Sequence, residues 1–401
     1  MRRVLASAAL ALMAGTAHAA PAPEGLTVDR VVIVMRHGVR PPTKAQPMPA
    51  GVTPETWPSW PVEPGFLTPH GALAVERLGA SDSAALRAQG VIPAKGCPTV
   101  RIVADSDQRT IETAKSWAKT FAPGCDLPSD HQPQGSKDPR FGPIEAGLVK
   151  LDAGLVDAAV AQGVGPGGMA AVEAAHRPLL TLADHILCKD GASASCGIGG
   201  EPSAIAPATS AKRPKMAGAL DRASTVAQIM LLEYGEGKPM PQVGWGRVTP
   251  AQIAQLSALH ALEFRLLARP YPVASANLSG LLPIMHEGLT GDTPVTMISG
   301  HDTNIANLGG LLDLHWQVPG LAQDDPAPGG AIVLERLKAK DGKLYVRASY
   351  RAQSLEQIRA ATPLKPGAAY RATMAIPGCA AEQVNGLCPL DKALTLLGAS
   401  H

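Results

Sequence analysis

The sequence carries almost no excess charge: 36 lysines and arginines face 34 aspartates and glutamates. Two of the basic residues, Arg2 and Arg3, lie in an N-terminal segment that reads as removable, and without them the two signs balance at 34 each. A balanced chain has no overall field for nucleic acid or an anionic membrane surface. No nucleic-acid partner is expected, and any bound anion must be held by a local cluster. Long apolar runs are missing too. Beyond Gly15 nothing approaches the ~18 apolar residues that cross a bilayer, so no membrane span is expected in the remaining chain. The cysteines include no C-x2-C pair, which argues against a structural zinc site. No repeat and no block of like charge stands out.

What is present begins with Met1-Arg2-Arg3, an apolar stretch from Val4 to Gly15, and the small-x-small site Ala17-His18-Ala19. This pattern predicts a cleaved secretory signal over 1–19, hence a periplasmic or secreted protein free of the membrane after cleavage. The remaining chain, about 380 residues, suffices for one large core or two subdomains. The 41 glycines and 37 prolines predict many long loops, in a chain whose hydrophobic fraction of 45% is ordinary for a globular protein. An even cysteine count after a signal points to disulfides. Sequence neighbours fall into three pairs, Cys97 with Cys125, Cys188 with Cys196 and Cys379 with Cys388. Local pairing is the simplest reading, although fifteen pairings are possible in principle and sequence alone selects none. The expected assembly is a monomer.

Along the chain, the β-branched run from Val28 to Met35 predicts a buried strand. Thr68 and Pro69 suit the N-cap and first position of a helix running to about Ala88. A second strand is expected over 99–104, followed by a helix over 107–121. From Phe141 to Arg269 the patterns are helical, with helices over 168–188, 219–234 and 249–268, a loop over 191–210, and no convincing strand. A third buried strand over 294–299 leads into a helix near His301, and strands 331–337 and 343–351 flank the turn Asp341-Gly342. The order predicts an α/β fold: a sheet domain over 22–140 and 270–401, with an all-α subdomain over 141–269 inserted between its halves.

Three polar segments each follow a predicted strand. They are Arg36-His37-Gly38-Val39-Arg40-Pro41, Asp105-Ser106-Asp107-Gln108-Arg109, and Gly300-His301-Asp302. Ligand sites of open α/β sheets form at the carboxyl ends of strands, so the three are expected to converge. Arg36, Arg40 and Arg109 supply planar forks for bidentate phosphate contacts. The arginines flanking His37 disfavour its imidazolium form, and the neutral ring is the nucleophile. Gly38 is expected to let the backbone pass close to a bound group. His301, at a helix N-terminus, adds a donor where the dipole favours anions. Asp302 is the natural general acid for an alkoxide leaving group, which predicts an acidic pH optimum.

Arg36-His37-Gly38-Val39-Arg40-Pro41 resembles the R-H-G-x-R-x-P signature of the histidine acid phosphatases, and Gly300-His301-Asp302-Thr303-Asn304 is similar to their H-D element. Trp57-Pro58-Ser59-Trp60-Pro61-Val62, Leu67-Thr68-Pro69, Gly244-Trp245-Gly246-Arg247 and Pro328-Gly329-Gly330 resemble the bacterial phytase branch, which is related to glucose-1-phosphatase. The resemblance implies a phosphoglycerate-mutase-like sheet domain and hydrolysis of a small phosphorylated substrate. It implies that His37 takes the phosphoryl group, that Arg36, Arg40, Arg109 and His301 hold it, and that Asp302 protonates the leaving oxygen. Thr43 and Lys44 would contact substrate beyond the reacting phosphate, and Asp105 would support the pocket from behind. It further implies that no metal or other cofactor is needed and that the three local cysteine pairs are bridged. Two departures concern the substrate. Asn277 stands where enterobacterial phytases carry an extra arginine, and Gln228 where they carry a glutamate.

Phytate is therefore the first expected substrate, with glucose-1-phosphatase or a broad acid phosphatase as the alternative within the enzyme class. A non-catalytic binder of phosphate esters would need neither His37 nor Asp302. The cytoplasmic phosphoglycerate mutases share R-H-G, but the signal and the cysteine pattern argue against them.

Overall fold

The computed structural model describes residues 23–193 and 195–398, so the expected signal over 1–19 lies outside the described residues. Among the described residues ten strands occur in chain order: β1 (Leu26–Arg36), β2 (Val100–Ala104), β3 (Ser129–Asp130), β4 (Ala204–Ala206), β5 (Lys215–Ala217), β6 (Val295–Gly300), β7 (Ala331–Ala339), β8 (Leu344–Ala352), β9 (Tyr370–Met374) and β10 (Cys388–Pro389). The main sheet runs β10-β8-β7-β1-β6-β2-β3, with β9 also on β8. β1 pairs parallel with β6 and antiparallel with β7, and β2 pairs parallel with β6. Three adjacent parallel strands therefore end side by side, each where the sequence places a polar segment.

Successive strand residues point to opposite faces, and both faces here are buried. Val31, Ile33 and Met35 enter one core with Met297, Val333 and Trp117. Val32 and Val34 enter the other with Ile298, Leu334 and Ile305. On the first face, helix Pro69–Ala88 packs against helix Gln108–Phe121. The first of these starts as its sequence dictates: Thr68 Oγ1 accepts from the Gly71 N–H at 2.8 Å, and proline occupies the first turn. Gly79 lets the pair close, because a Cβ there would meet the Trp117 carbonyl oxygen at 2.3 Å.

Between β3 and β6 the chain is mainly helical, and two expectations need correction. The helix expected over 168–188 is two, Gly168–Ala175 and Arg177–Leu187, broken at His176. Pro178 has no N–H to continue the earlier helix and its ring crowds the turn before it, but it suits the first turn of a new one. The strand-free reading of this region also fails. β4 and β5 pair as a small antiparallel hairpin, at three residues each too short to show a period-2 pattern. Cys97–Cys125, Cys188–Cys196 and Cys379–Cys388 are disulfide-bonded, and each local loop closed in this way stabilises the fold by roughly 2–4 kcal/mol. Among the described residues no helix is long and apolar enough to cross a membrane.

Candidate active site

The sheet's backbone ladder runs straight into the polar segments. The His37 N–H donates to the Gly300 carbonyl at 2.9 Å, and the Asp105 N–H donates to that of Ser299 at 3.0 Å. This seats His37, Asp105 and His301 at the ends of β1, β2 and β6. His37, Arg40, Asp105, Arg109, His301 and Asp302 line one cleft of about 330 Å³.

His37 is 1% exposed. Its Nδ1 lies 2.8 Å from the Gly38 carbonyl, which can only accept, so Nδ1 carries the hydrogen and Nε2 keeps the lone pair. Arg40 Nε approaches that Nε2 at 3.5 Å. Burial, then the charges of Arg40, Arg109, Arg36 and His301, push the imidazole pKa well below its ordinary value. The ring is thus neutral, and Nε2 keeps its lone pair on the side of Arg40, which lines the same cleft. Gly38, however, serves packing rather than ligand approach. A Cβ there would meet Leu67 and Val75 at 2.9 Å and the Gly71 carbonyl at 3.0 Å, against helix Pro69–Ala88.

Arg36 lies fully buried beneath His37. Its guanidinium donates to the Pro326 carbonyl, to Gln228 Oε1 at 3.0 Å, and to Asp302 Oδ2 at 3.0 Å. Asp302 begins helix Asp302–Leu311, whose entry is fixed by Asn304 Oδ1 accepting from the His301 N–H at 2.9 Å. Burial pushes the Asp302 carboxyl up, but the neighbouring positive charge, that of Arg36 first, outweighs it and holds its pKa far below the usual carboxylate range. The acidic optimum therefore cannot rest on Asp302 being protonated in the empty site.

His301 Nε2 meets Asp105 Oδ2 at 2.5 Å, and its Nδ1 lies 3.4 Å from Arg109 Nη2. Asp107 makes no cap hydrogen bond to its helix and instead holds Arg109 at 2.6 Å. Asp105, Asp107 and His301 form one acid–imidazole cluster, but these contacts already engage its ligand atoms. Thr43 and Lys44 do not line the His37 cleft. They line an adjoining one of about 300 Å³ with Gln228, His260 and Glu263, and Arg40 belongs to both clefts.

Sequence reading did not anticipate the partners that fix these groups. For Asp107, nothing in the sequence spacing tells a helix cap from an ion-pair partner of Arg109. Gln228, in sequence a departure from the enterobacterial phytases, accepts from Arg36. His260 bonds Asp325 at 2.6 Å, both buried, and no sequence signal joins them.

The model of the histidine phosphatase superfamily (branch 2) matches residues 27–153 and 278–351, a span that includes all three polar segments. The chain belongs to this superfamily. It is 36% identical to phytase AppA of Escherichia coli K12, over 91% of this chain and 90% of that protein. It is 31% identical to the glucose-1-phosphatase of Salmonella typhimurium, over 98% of each. Among solved structures, the Hafnia alvei phytase in complex with myo-inositol hexakis sulphate superposes with a TM-score of 0.86 at 34% identity, covering 94% of this chain and 97% of that one. As a histidine phosphatase with phytases among its relatives, the chain is a phosphomonoester hydrolase, as the resemblance implied.

Proposed function

We propose that this enzyme is an exported phytase that hydrolyses inositol hexakisphosphate through a phosphohistidine on His37. The observation that carries the reading is the oriented imidazole, its Nδ1 held on the Gly38 carbonyl and its Nε2 beside Arg40, in a cleft also lined by Arg109 and His301. Arg36, Arg40, Arg109 and His301 hold the phosphoryl group. Nε2 attacks phosphorus, the P–O ester bond breaks, and the leaving oxygen takes a proton from Asp302. Water then attacks the phosphohistidine, gives its proton back to the Asp302 carboxylate, and releases phosphate. Thr43 and Lys44 bind the substrate's other groups from the adjoining cleft, and Asp105 keeps His301 in position.

Asp302 is ionised in the empty site, so its proton must arrive with the substrate. Below about pH 6 a phosphate ester is a monoanion and carries one. The phosphate's own charge beside Asp302 raises the affinity of that carboxylate for the proton. Activity then falls as pH rises through the ester's second ionisation.

The three disulfides support export to an oxidising compartment, periplasmic or extracellular. The helices between Ala153 and Leu267 support a helical subdomain over 141–269 inserted into a sheet domain over 22–140 and 270–401. The decisive experiment is rapid quench with 32P-labelled substrate. An acid-labile, base-stable phosphoenzyme is expected in the wild type and not in His37→Ala, and its absence in the wild type overturns the mechanism. A kcat/KM higher on glucose 1-phosphate than on phytate overturns the substrate assignment and leaves the chemistry standing.

A further inference from the structure

The outer wall of the His37 cleft comes from the loop after β3 and from the β4–β5 hairpin. Lys137, Arg213 and Glu145 all line it. Arg213 belongs to the turn between β4 and β5. Its Nε donates to Glu145 Oε1 at 2.6 Å, which leaves both Nη groups without a partner among the described residues. Its side chain is 33% exposed, enough for solvent and ligand to reach those groups. Lys137 is exposed and makes no ion pair among the described residues. By contrast Asn277, on the same cleft, is 2% exposed and its amide donates to Asn307 Oδ1 at 2.7 Å. It is turned into the protein and presents no cation.

The other charges of the cleft are largely committed to each other: Asp302 to Arg36, Asp107 to Arg109, Asp105 to His301, and Asp138 to Arg140. On the outer wall Lys137 makes no ion pair among the described residues, and Arg213, paired with Glu145 through Nε, keeps both Nη groups without a partner there. A cleft of about 330 Å³ is also larger than one phosphoryl group needs. We propose that Lys137 and Arg213 form a second anion subsite that takes a non-reacting phosphate of a polyphosphorylated polyol while another phosphate lies at His37. Glu145 orients the arginine by holding Nε, so the planar fork presents its two Nη groups outward for bidentate contact. A monophosphate ester has no group to reach this subsite.

The inference rests on the proposed preference for phytate, and its test does not require phytate to be turned over. Inositol hexakissulfate is used as a competitive inhibitor of p-nitrophenyl phosphate hydrolysis by the wild type and by Lys137→Ala/Arg213→Ala. The double variant is expected to raise Ki about tenfold, as expected for two partly exposed charge-assisted contacts. The KM and kcat for p-nitrophenyl phosphate should stay within about twofold, and the Ki difference should shrink as salt is raised. Lys137→Arg/Arg213→Lys, which keeps both charges, should recover most of the loss. An unchanged Ki overturns the subsite, as does an equal loss on the monophosphate. Tight sulfate inhibition without phytate hydrolysis would sink the phytase reading and leave the subsite intact.

Discussion

The floor and the rim of the His37 cleft are built in different ways. The floor residues Arg36 and His37 are at most 1% exposed and continue the backbone ladder of the sheet. The rim residues Lys137, Arg213 and Lys44 stand on loops and a small hairpin, open to solvent. Charges in the floor act in a poorly screened medium and are held in place before substrate arrives, so each is worth much to the reaction. Charges at the rim are screened and mobile, so each is worth little alone and affects binding more than chemistry. The floor should therefore govern kcat and the rim KM.

The largest effect tests the floor directly. His37→Ala should lower kcat by about 10⁴-fold or more, since the route through a covalent intermediate is lost. A variant retaining more than a few per cent of wild-type activity on any monoester would break the distinction. Asp302→Asn comes next, with a kcat loss of about 10²–10⁴-fold on an alkyl phosphate, the usual contribution of a general acid. On p-nitrophenyl phosphate, whose phenolate leaves without protonation, the loss should be under about tenfold. Equal losses on both esters would mean that Asp302 only positions Arg36 and donates nothing.

The pH profile sharpens the same contrast. The depressed pKa of His37 means that acid must go well below the usual histidine range before the nucleophile is protonated. Protonation of the nucleophile therefore sets only the acid limb of the profile. The alkaline limb follows the ester's second ionisation near pH 6, because Asp302 has already lost its proton in the empty site. Replacing an ester with one of lower second pKa should move the alkaline limb of kcat/KM down with it. An alkaline limb that ignores the ester's pKa would return the titration to an enzyme group.

Much of this arrangement was legible beforehand because the chemistry coincides with strong local signals. β1, β2 and β6 are apolar runs that end abruptly at charged segments, and the ends of such runs are where an α/β sheet forms sites. The cap at Thr68-Pro69 fixed a helix start to the residue. What escaped notice depends on pairings between distant segments. Arg36 with Gln228 is separated by 192 positions and His260 with Asp325 by 65, and neither pairing leaves a periodicity. The β4–β5 hairpin was hidden by its brevity, and with it the position of Arg213. At Gly38 the sequence misleads: a glycine beside a nucleophile suggests ligand approach, whereas Leu67 and Val75 claim the space.

The smallest expected effect lies on the side of the rim away from Arg213. Lys44 lines the adjoining cleft, which meets the His37 cleft at Arg40, so it can reach a substrate phosphate only beyond the reacting one. Lys44→Ala should raise KM for phytate about two- to threefold at unchanged kcat, as for one screened contact. The same variant should leave glucose 1-phosphate kinetics unaltered, and the effect on phytate should vanish in about 1 M salt, where the Debye length is about 3 Å. A fall in kcat on phytate would instead place Lys44 in the reacting geometry. The rim would then share in the chemistry, and the division between floor and rim would fail at Arg40, the residue common to both clefts.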